Sequence, residues 1–146
     1  MKIFFDTSIL VYIDRRNEVV ITLCREFRKE HEMNISTVTV SEILTGSFLR
    51  KDFEKAVLKA KKVLGQFSWI ELDGKVAEKV GQLNAYLISQ GLPIEYQDVI
   101  IAASCILTNS DYLLTRNKAH FEIIPALENK LFTPEEFIEN VIKKNL

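Results

Sequence analysis

Residues 2–12 read KIFFDTSILVY, and this short stretch decides the fold. Ile3, Phe4 and Phe5 follow one another without polar alternation, which suits a strand buried on both faces rather than one with a wet side. Asp6 ends the run, and a helix is expected from about Ser8 to Arg16. A buried strand that hands an acid to the start of a helix is the opening unit of an α/β sheet.

The rest of the chain repeats that alternation. Val20, Cys24 and Phe27 mark one face of a second helix ending near His31, and Met33 to Thr37 reads as a second strand. Val40, Ile43, Leu44 and Phe48 supply the apolar stripe of the next helix, with Glu42 inside it. From Asp52 onward Phe53, Ala56, Val57, Ala60, Val63 and Leu64 keep helical spacing, while Lys51, Lys55, Lys59 and Lys62 recur opposite and read as a solvated face. Phe67 to Leu72 is strand-like, and Asp73 caps a helix whose core face is Val76, Val80, Leu83 and Leu87 and whose stop is Gly91. EYQDVIIAASCIL, residues 95–107, is apolar on nearly every side beyond Asp98 and suits a buried helix with that acid near its start. Asp111 to Thr115 is a fourth strand and Phe121 to Ile124 a fifth; Thr133-Pro134-Glu135-Glu136 opens the last helix with a capping box. The expectation is one domain over residues 1–146, with a mainly parallel, roughly five-stranded sheet covered by helices on both faces.

Composition narrows the function. With 146 residues and 47% hydrophobic content the chain can bury one real core. Nineteen Lys and Arg against 20 Asp and Glu give a net charge of -1, so any nucleic-acid surface has to be a local patch. Cys24 and Cys105 stand far apart without a CxxC or Cys/His spacing, which disfavours a disulfide scaffold, a zinc site and a redox motif and suits a reducing cytoplasm. The longest buried-looking run, Val99 to Leu107, is too short to span a bilayer, so a soluble, unexported protein with no membrane association is expected.

In a parallel sheet functional groups gather where strands end and helix N-termini converge. Asp6 ends the first strand, Glu42 lies in the turns after the second, Asp98 starts the buried helix, and Thr115-Arg116-Asn117 follows the fourth. Taken singly each has a bland reading: Asp6 as a helix cap, Glu42 as a solvated helix residue, Asn117 as the cap of a short NKAHF turn, His120 as a structural or rim residue. Asp98 is harder to dismiss, because a carboxylate beside so apolar a helix needs a helix N-terminus or a cation. Three carboxylates and an amide able to meet in one cleft form a hard, oxygen-rich site that selects Mg²⁺ or Mn²⁺, for which phosphodiester hydrolysis is the natural reaction. Thr7, Ser8 and Ser41 lack a His-acid arrangement, which excludes a serine nucleophile.

The residues around these positions resemble a family. FFDTSILVY is similar to the opening of PIN-domain ribonucleases, VTVSEILTG to their second motif, PIEYQDVIIAA to the third, and YLLTRNKAHF followed by IIPAL to the closing one. The four occur in order over nearly the whole chain, whose length suits the toxin half of VapBC-type toxin–antitoxin pairs. The resemblance implies a PIN-like α/β/α fold and a metal-dependent endoribonuclease in which Asp6, Glu42 and Asp98 bind Mg²⁺ or Mn²⁺. It also implies an RNA substrate, a homodimer, and an antitoxin that fills the active-site groove. Thr7 and Ser8 fall where a hydroxyl supports the site or contacts RNA; Arg15, Arg16, Arg116 and Lys118 flank the cleft as phosphate candidates. Many relatives carry a fourth acid in the segment matched by residues 115–120, where this chain offers Asn117 or His120. Two rivals stand beside this reading: a PIN-like module that binds RNA or protein without cleaving, and an aspartyl-phosphate enzyme, which the lack of an acid two residues after Asp6 weakens.

Overall fold

The computed structural model describes residues 1–145, Asp14 by its backbone alone. Its centre is β1 (Lys2–Phe5), flanked by β2 (Glu32–Ser36) and β4 (Tyr112–Leu114), with β3 (Ser68–Ile70) and β5 (Leu131–Phe132) at the edges. All four pairings in the order β3-β2-β1-β4-β5 are parallel. Successive side chains of a strand point to opposite faces, so the unbroken apolar run of β1 feeds two cores at once. Ile3 and Phe5 join one cluster, Phe4 the other, and all three are fully buried.

The first core lies under α1 (Thr7–Asp14), α2 (Glu18–Phe27), α3 (Thr37–Phe48) and α4 (Phe53–Leu64), and it takes in Phe137 and Val141 from the C-terminal segment. The second lies under α5 (Gly74–Ser89) and α6 (Tyr96–Leu107). Helix α6 is buried from Val99 through Cys105, as its apolar sequence requires. Asp73 accepts a hydrogen bond from the Val76 amide at the start of α5, and Gly91, at φ 68°, takes the left-handed conformation just beyond its end. Helices on both faces of a parallel five-stranded sheet match the expected class. No helix among the described residues is long and apolar enough to cross a membrane.

Three local expectations are corrected. Phe121 to Ile124 is not a strand: Lys118–Phe121 forms the short helix α7, and Pro125–Leu127 a 3-10 turn. Phe121, Ile124 and Leu127 are all buried at a spacing of three, which is helical periodicity rather than alternation. The fifth strand is Leu131–Phe132, paired to β4 at Leu113↔Leu131 and Leu114↔Phe132, and two residues are too few to carry a strand signature. Phe48, expected in the core, is 58% exposed beside Phe53 at the α3–α4 turn. The last helix opens with the expected capping box at Thr133, but α8 (Pro134–Phe137) passes into a wider turn over Ile138–Ile142 and a 3-10 turn over Lys143–Asn145.

Candidate active site

Strand order reverses at β1, because β2 and β3 extend to one side and β4 and β5 to the other, and the carboxyl ends of β1 and β4 therefore form a crevice. Asp6 stands in it. The residue is 3% exposed and occupies the N-cap position of α1, yet its side chain makes no cap bond. Instead its Oδ2 accepts hydrogen bonds from Ser8 Oγ at 2.7 Å and from the buried Thr115 Oγ1 at 2.8 Å. Those hydroxyls are themselves held by the backbone beyond β4: the Arg116 amide donates to Ser8 Oγ, and the Asn117 amide to Thr115 Oγ1, both at 2.9 Å. The β1 and β4 exits are thus tied together through one carboxylate.

Glu42 reaches the same region from α3, whose start is fixed by Ser36 accepting from the Val38 amide. Thr7 Oγ1 donates to Glu42 Oε1 at 2.9 Å and lies 2.8 Å from the hydroxyl of the buried Thr39. Partial loss of water raises the Glu42 pKa above the ordinary carboxylate range, the negative charges of Asp6 and Asp98 add to the rise, and the Thr7 hydrogen bond opposes it. Asp98 sits in the first turn of α6, its Oδ2 2.8 Å from His120 Nδ1. Burial raises its pKa too, reinforced by the charges of Asp6 and Glu95 and opposed by His120. The three acids feel one another's charge. Even so, among the described residues no group of three or more His, Cys, Asp and Glu side chains is gathered to metal-ligand spacing. Like charges repel one another, which adds to the upward pKa shifts of Glu42 and Asp98.

The predicted residues divide. Asp6, Glu42 and Asp98 lie within reach of one another's charge, with Ser8 supporting Asp6 and Thr7 supporting Glu42. Arg116 and Lys118, expected to face RNA, are instead engaged by acids of the chain: the Arg116 guanidinium forms a two-pronged pair with Glu135 at 2.5 and 2.8 Å and lies 4.6 Å over the Tyr12 ring, while Lys118 Nζ is 3.1 Å from Glu136. Asn117 is exposed and its side chain does not cap α7, so it enters the site through its amide alone. Arg15 is exposed and lines a groove of about 480 Å³ between α1, α3 and α4, which Glu42 also borders but Asp6 and Asp98 do not. Cys24 and Cys105 are unpaired and buried, and burial pushes both thiols up to about 12, which leaves them inert. The roles of Thr115 and Thr39 and the direct contact of His120 with Asp98 are foreshadowed in the sequence only by a Thr at a strand exit and a His in the segment that follows.

Known proteins share this arrangement of elements. Ribonuclease VapC2 of Haemophilus influenzae is 27% identical over 130 residues, 89% of this chain and 97% of that protein. Ribonuclease VapC2 of Rickettsia felis is 28% identical over 128 residues, 87% and 95% of the two chains. Among solved structures, VapBC2 of Rickettsia felis bound to a DNA fragment from their promoter superimposes with a TM-score of 0.82 at 27% identity over 91% of this chain and 98% of that one. VapBC-1 of nontypeable Haemophilus influenzae has the same fold, with a TM-score of 0.80 at 20% identity over 92% and 99%. The PIN domain pattern matches residues 3–127, from β1 through the 3-10 turn after α7, and the chain belongs to the PIN domain family.

Proposed function

We propose that this PIN domain is an endoribonuclease that hydrolyses RNA phosphodiester bonds with Mg²⁺ or Mn²⁺, and that it is the toxin of a toxin–antitoxin pair. The observation that carries the reading is Asp6: a carboxylate almost fully buried, bonded by hydroxyls, with no cation partner among the described residues and no capping role. A buried carboxylate is best accommodated when it is both hydrogen-bonded and paired with a cation, and the hydroxyls supply the first of these. The donor set fits a hard cation, since Asp6, Glu42 and Asp98 offer only oxygens. Bound there, the ion supplies an activated water and offsets charge on the scissile phosphate.

The chain's own residues prepare that site. Ser8 and Thr115 fix the Asp6 carboxylate, Thr7 fixes Glu42, and His120 fixes Asp98. Arg15, exposed at the groove that Glu42 borders, and the exposed Arg16 beside it are the remaining candidates for RNA backbone contact. We further propose an antitoxin partner, supported by relatives solved as VapBC complexes, together with a homodimer and a cytoplasmic location. The feature that favours a binding module without cleavage is the exposed, uncharged Asn117 in the segment where the family resemblance implies a fourth acid.

Purified protein should cleave single-stranded RNA in Mg²⁺ or Mn²⁺, stop in EDTA, and lose cleavage in Asp6→Asn and Glu42→Gln. Cleavage that persists in chelator or in Asp6→Asn overturns the metal-dependent reading; RNA binding without cleavage in any metal establishes the binding module.

A further inference from the structure

Each acid of the cluster already has one oxygen in use. Oδ2 of Asp6 takes two hydroxyl donors, Oε1 of Glu42 takes the Thr7 hydroxyl, and Oδ2 of Asp98 meets His120 Nδ1. Asp6 Oδ1, Glu42 Oε2 and Asp98 Oδ1 accept no hydrogen bond and join no ion pair among the described residues. A carboxylate held by a donor at one oxygen presents the other more readily to an ion, because the held oxygen has fewer lone pairs left and a fixed orientation. Two of the three acids, Asp6 and Glu42, are pinned by hydroxyls. The pin on the third comes from α7, 22 residues beyond Asp98, and is carried on a helix anchored by the fully buried Phe121.

Ion size makes that arrangement selective. Ca²⁺ takes about six to eight oxygens and commonly uses carboxylates two oxygens at a time, whereas Mg²⁺ requires near-octahedral geometry and keeps several waters. Three such oxygens would suit a small ion that keeps several waters and would undersupply a larger one. Building on the metal reading above, we propose that His120 is a positioning residue that restricts Asp98 to one open oxygen, and that this restriction makes the site select Mg²⁺ and Mn²⁺ over Ca²⁺. The proton on Nδ1 follows from the network, because an ionised Asp98 has only acceptors to offer. Histidine suits this role because it gives Asp98 a donor without adding negative charge to a site that already holds three carboxylates.

The test is calorimetric titration of Mg²⁺, Mn²⁺ and Ca²⁺ into the full chain and into His120→Ala, His120→Phe and His120→Asn. Ala removes the donor, Phe removes it while keeping a ring, and Asn restores an N–H near the Nδ1 position. His120 is about half exposed, so all variants are expected to melt with the parent in EDTA. The parent should bind Mg²⁺ at least about tenfold more tightly than Ca²⁺; Ala and Phe should weaken Mg²⁺ about ten- to a hundredfold and narrow the Mg²⁺/Ca²⁺ gap, and Asn should restore it. An unchanged gap in both Ala and Phe overturns the role of His120, and a parent that holds Ca²⁺ as tightly as Mg²⁺ overturns the selectivity. A parent that binds no divalent cation overturns the metal reading itself.

Discussion

Arg116→Ala separates a cation that holds RNA from one that holds the protein together. Sequence position favours RNA, since Arg116 follows β4 directly at the crevice. The structure shows its side chain only 19% exposed, gripped by both oxygens of Glu135 and stacked on Tyr12. Glu135 is 51% exposed, so solvent screens the pair and it is worth about 0.2–1 kcal/mol, toward the upper end because it is two-pronged. The stack on Tyr12 adds about 0.5–1 kcal/mol. Together with the lost packing of the stem, Arg116→Ala should destabilise by about 1–2.5 kcal/mol, a fall in melting temperature of about 3–8 °C for a chain of this size. Glu135→Gln should cost less, and the double mutant should be less destabilised than the two single changes predict together, because they remove one shared contact. The paired assay is RNA affinity against salt, where each lost phosphate contact on a single strand flattens the log–log slope by about 0.7. An unchanged slope is expected. A slope flattened by about that amount, with stability within about 0.5 kcal/mol of the parent, would refute the reasoning and return Arg116 to the RNA surface.

Two further outcomes follow from the hydroxyl and carboxylate network. Thr115→Val keeps the buried shape but strips Asp6 of one donor and the Asn117 amide of its acceptor, so it should cost about 1–3 kcal/mol in chemical denaturation and lower RNA cleavage, while Thr115→Ser keeps most of both. Equal stability in Val and Ser would show that the hydroxyl is not used. For Asp98, burial and the charges of Asp6 and Glu95 raise the folded-state pKa, so the folded form binds its proton more tightly than the unfolded form does. Stability measured in EDTA should therefore rise in the parent relative to Asp98→Asn as pH falls from above the folded pKa to the ordinary carboxylate value near about 4, and the difference should then level off. The depressed pKa values of Glu135 and Glu136 act in the opposite sense, but they are common to both proteins and cancel in the comparison. A parent that loses stability relative to Asp98→Asn over that range would mean Asp98 is held as an anion by a structural partner.

What is legible in the sequence is whatever one local run can state. KIFF announces a strand buried on both faces because three large apolar residues in a row have no solvated side to offer, and EYQDVIIAASCIL announces a buried helix for the same reason. Asp6, Glu42 and Asp98 are readable because each interrupts or borders such a run, where a charge needs an explanation. The two-residue β5 carries no pattern, and the buried Phe121 and Ile124 lend a strand-like look to a segment that folds as helix and turn.

The pairings that make the site are hidden for a different reason: they join residues distant in sequence whose partners have sufficient local explanations of their own. Glu135 and Glu136 read as the acidic first turn of a capped helix, which they are, and the same two side chains reach back 19 and 18 residues to neutralise Arg116 and Lys118. Thr115 reads as the end of a strand, and only the parallel pairing of β1 with β4 brings its hydroxyl to Asp6, 109 residues away. Arg116 and Lys118 are therefore already paired with Glu135 and Glu136, while the acids of the crevice are held by hydroxyls and one histidine. An ordinary surface would pair those opposite charges with each other. Keeping them apart gathers carboxylates rather than ion pairs at the strand exits, which is the chemistry that the proposed metal-dependent function draws on.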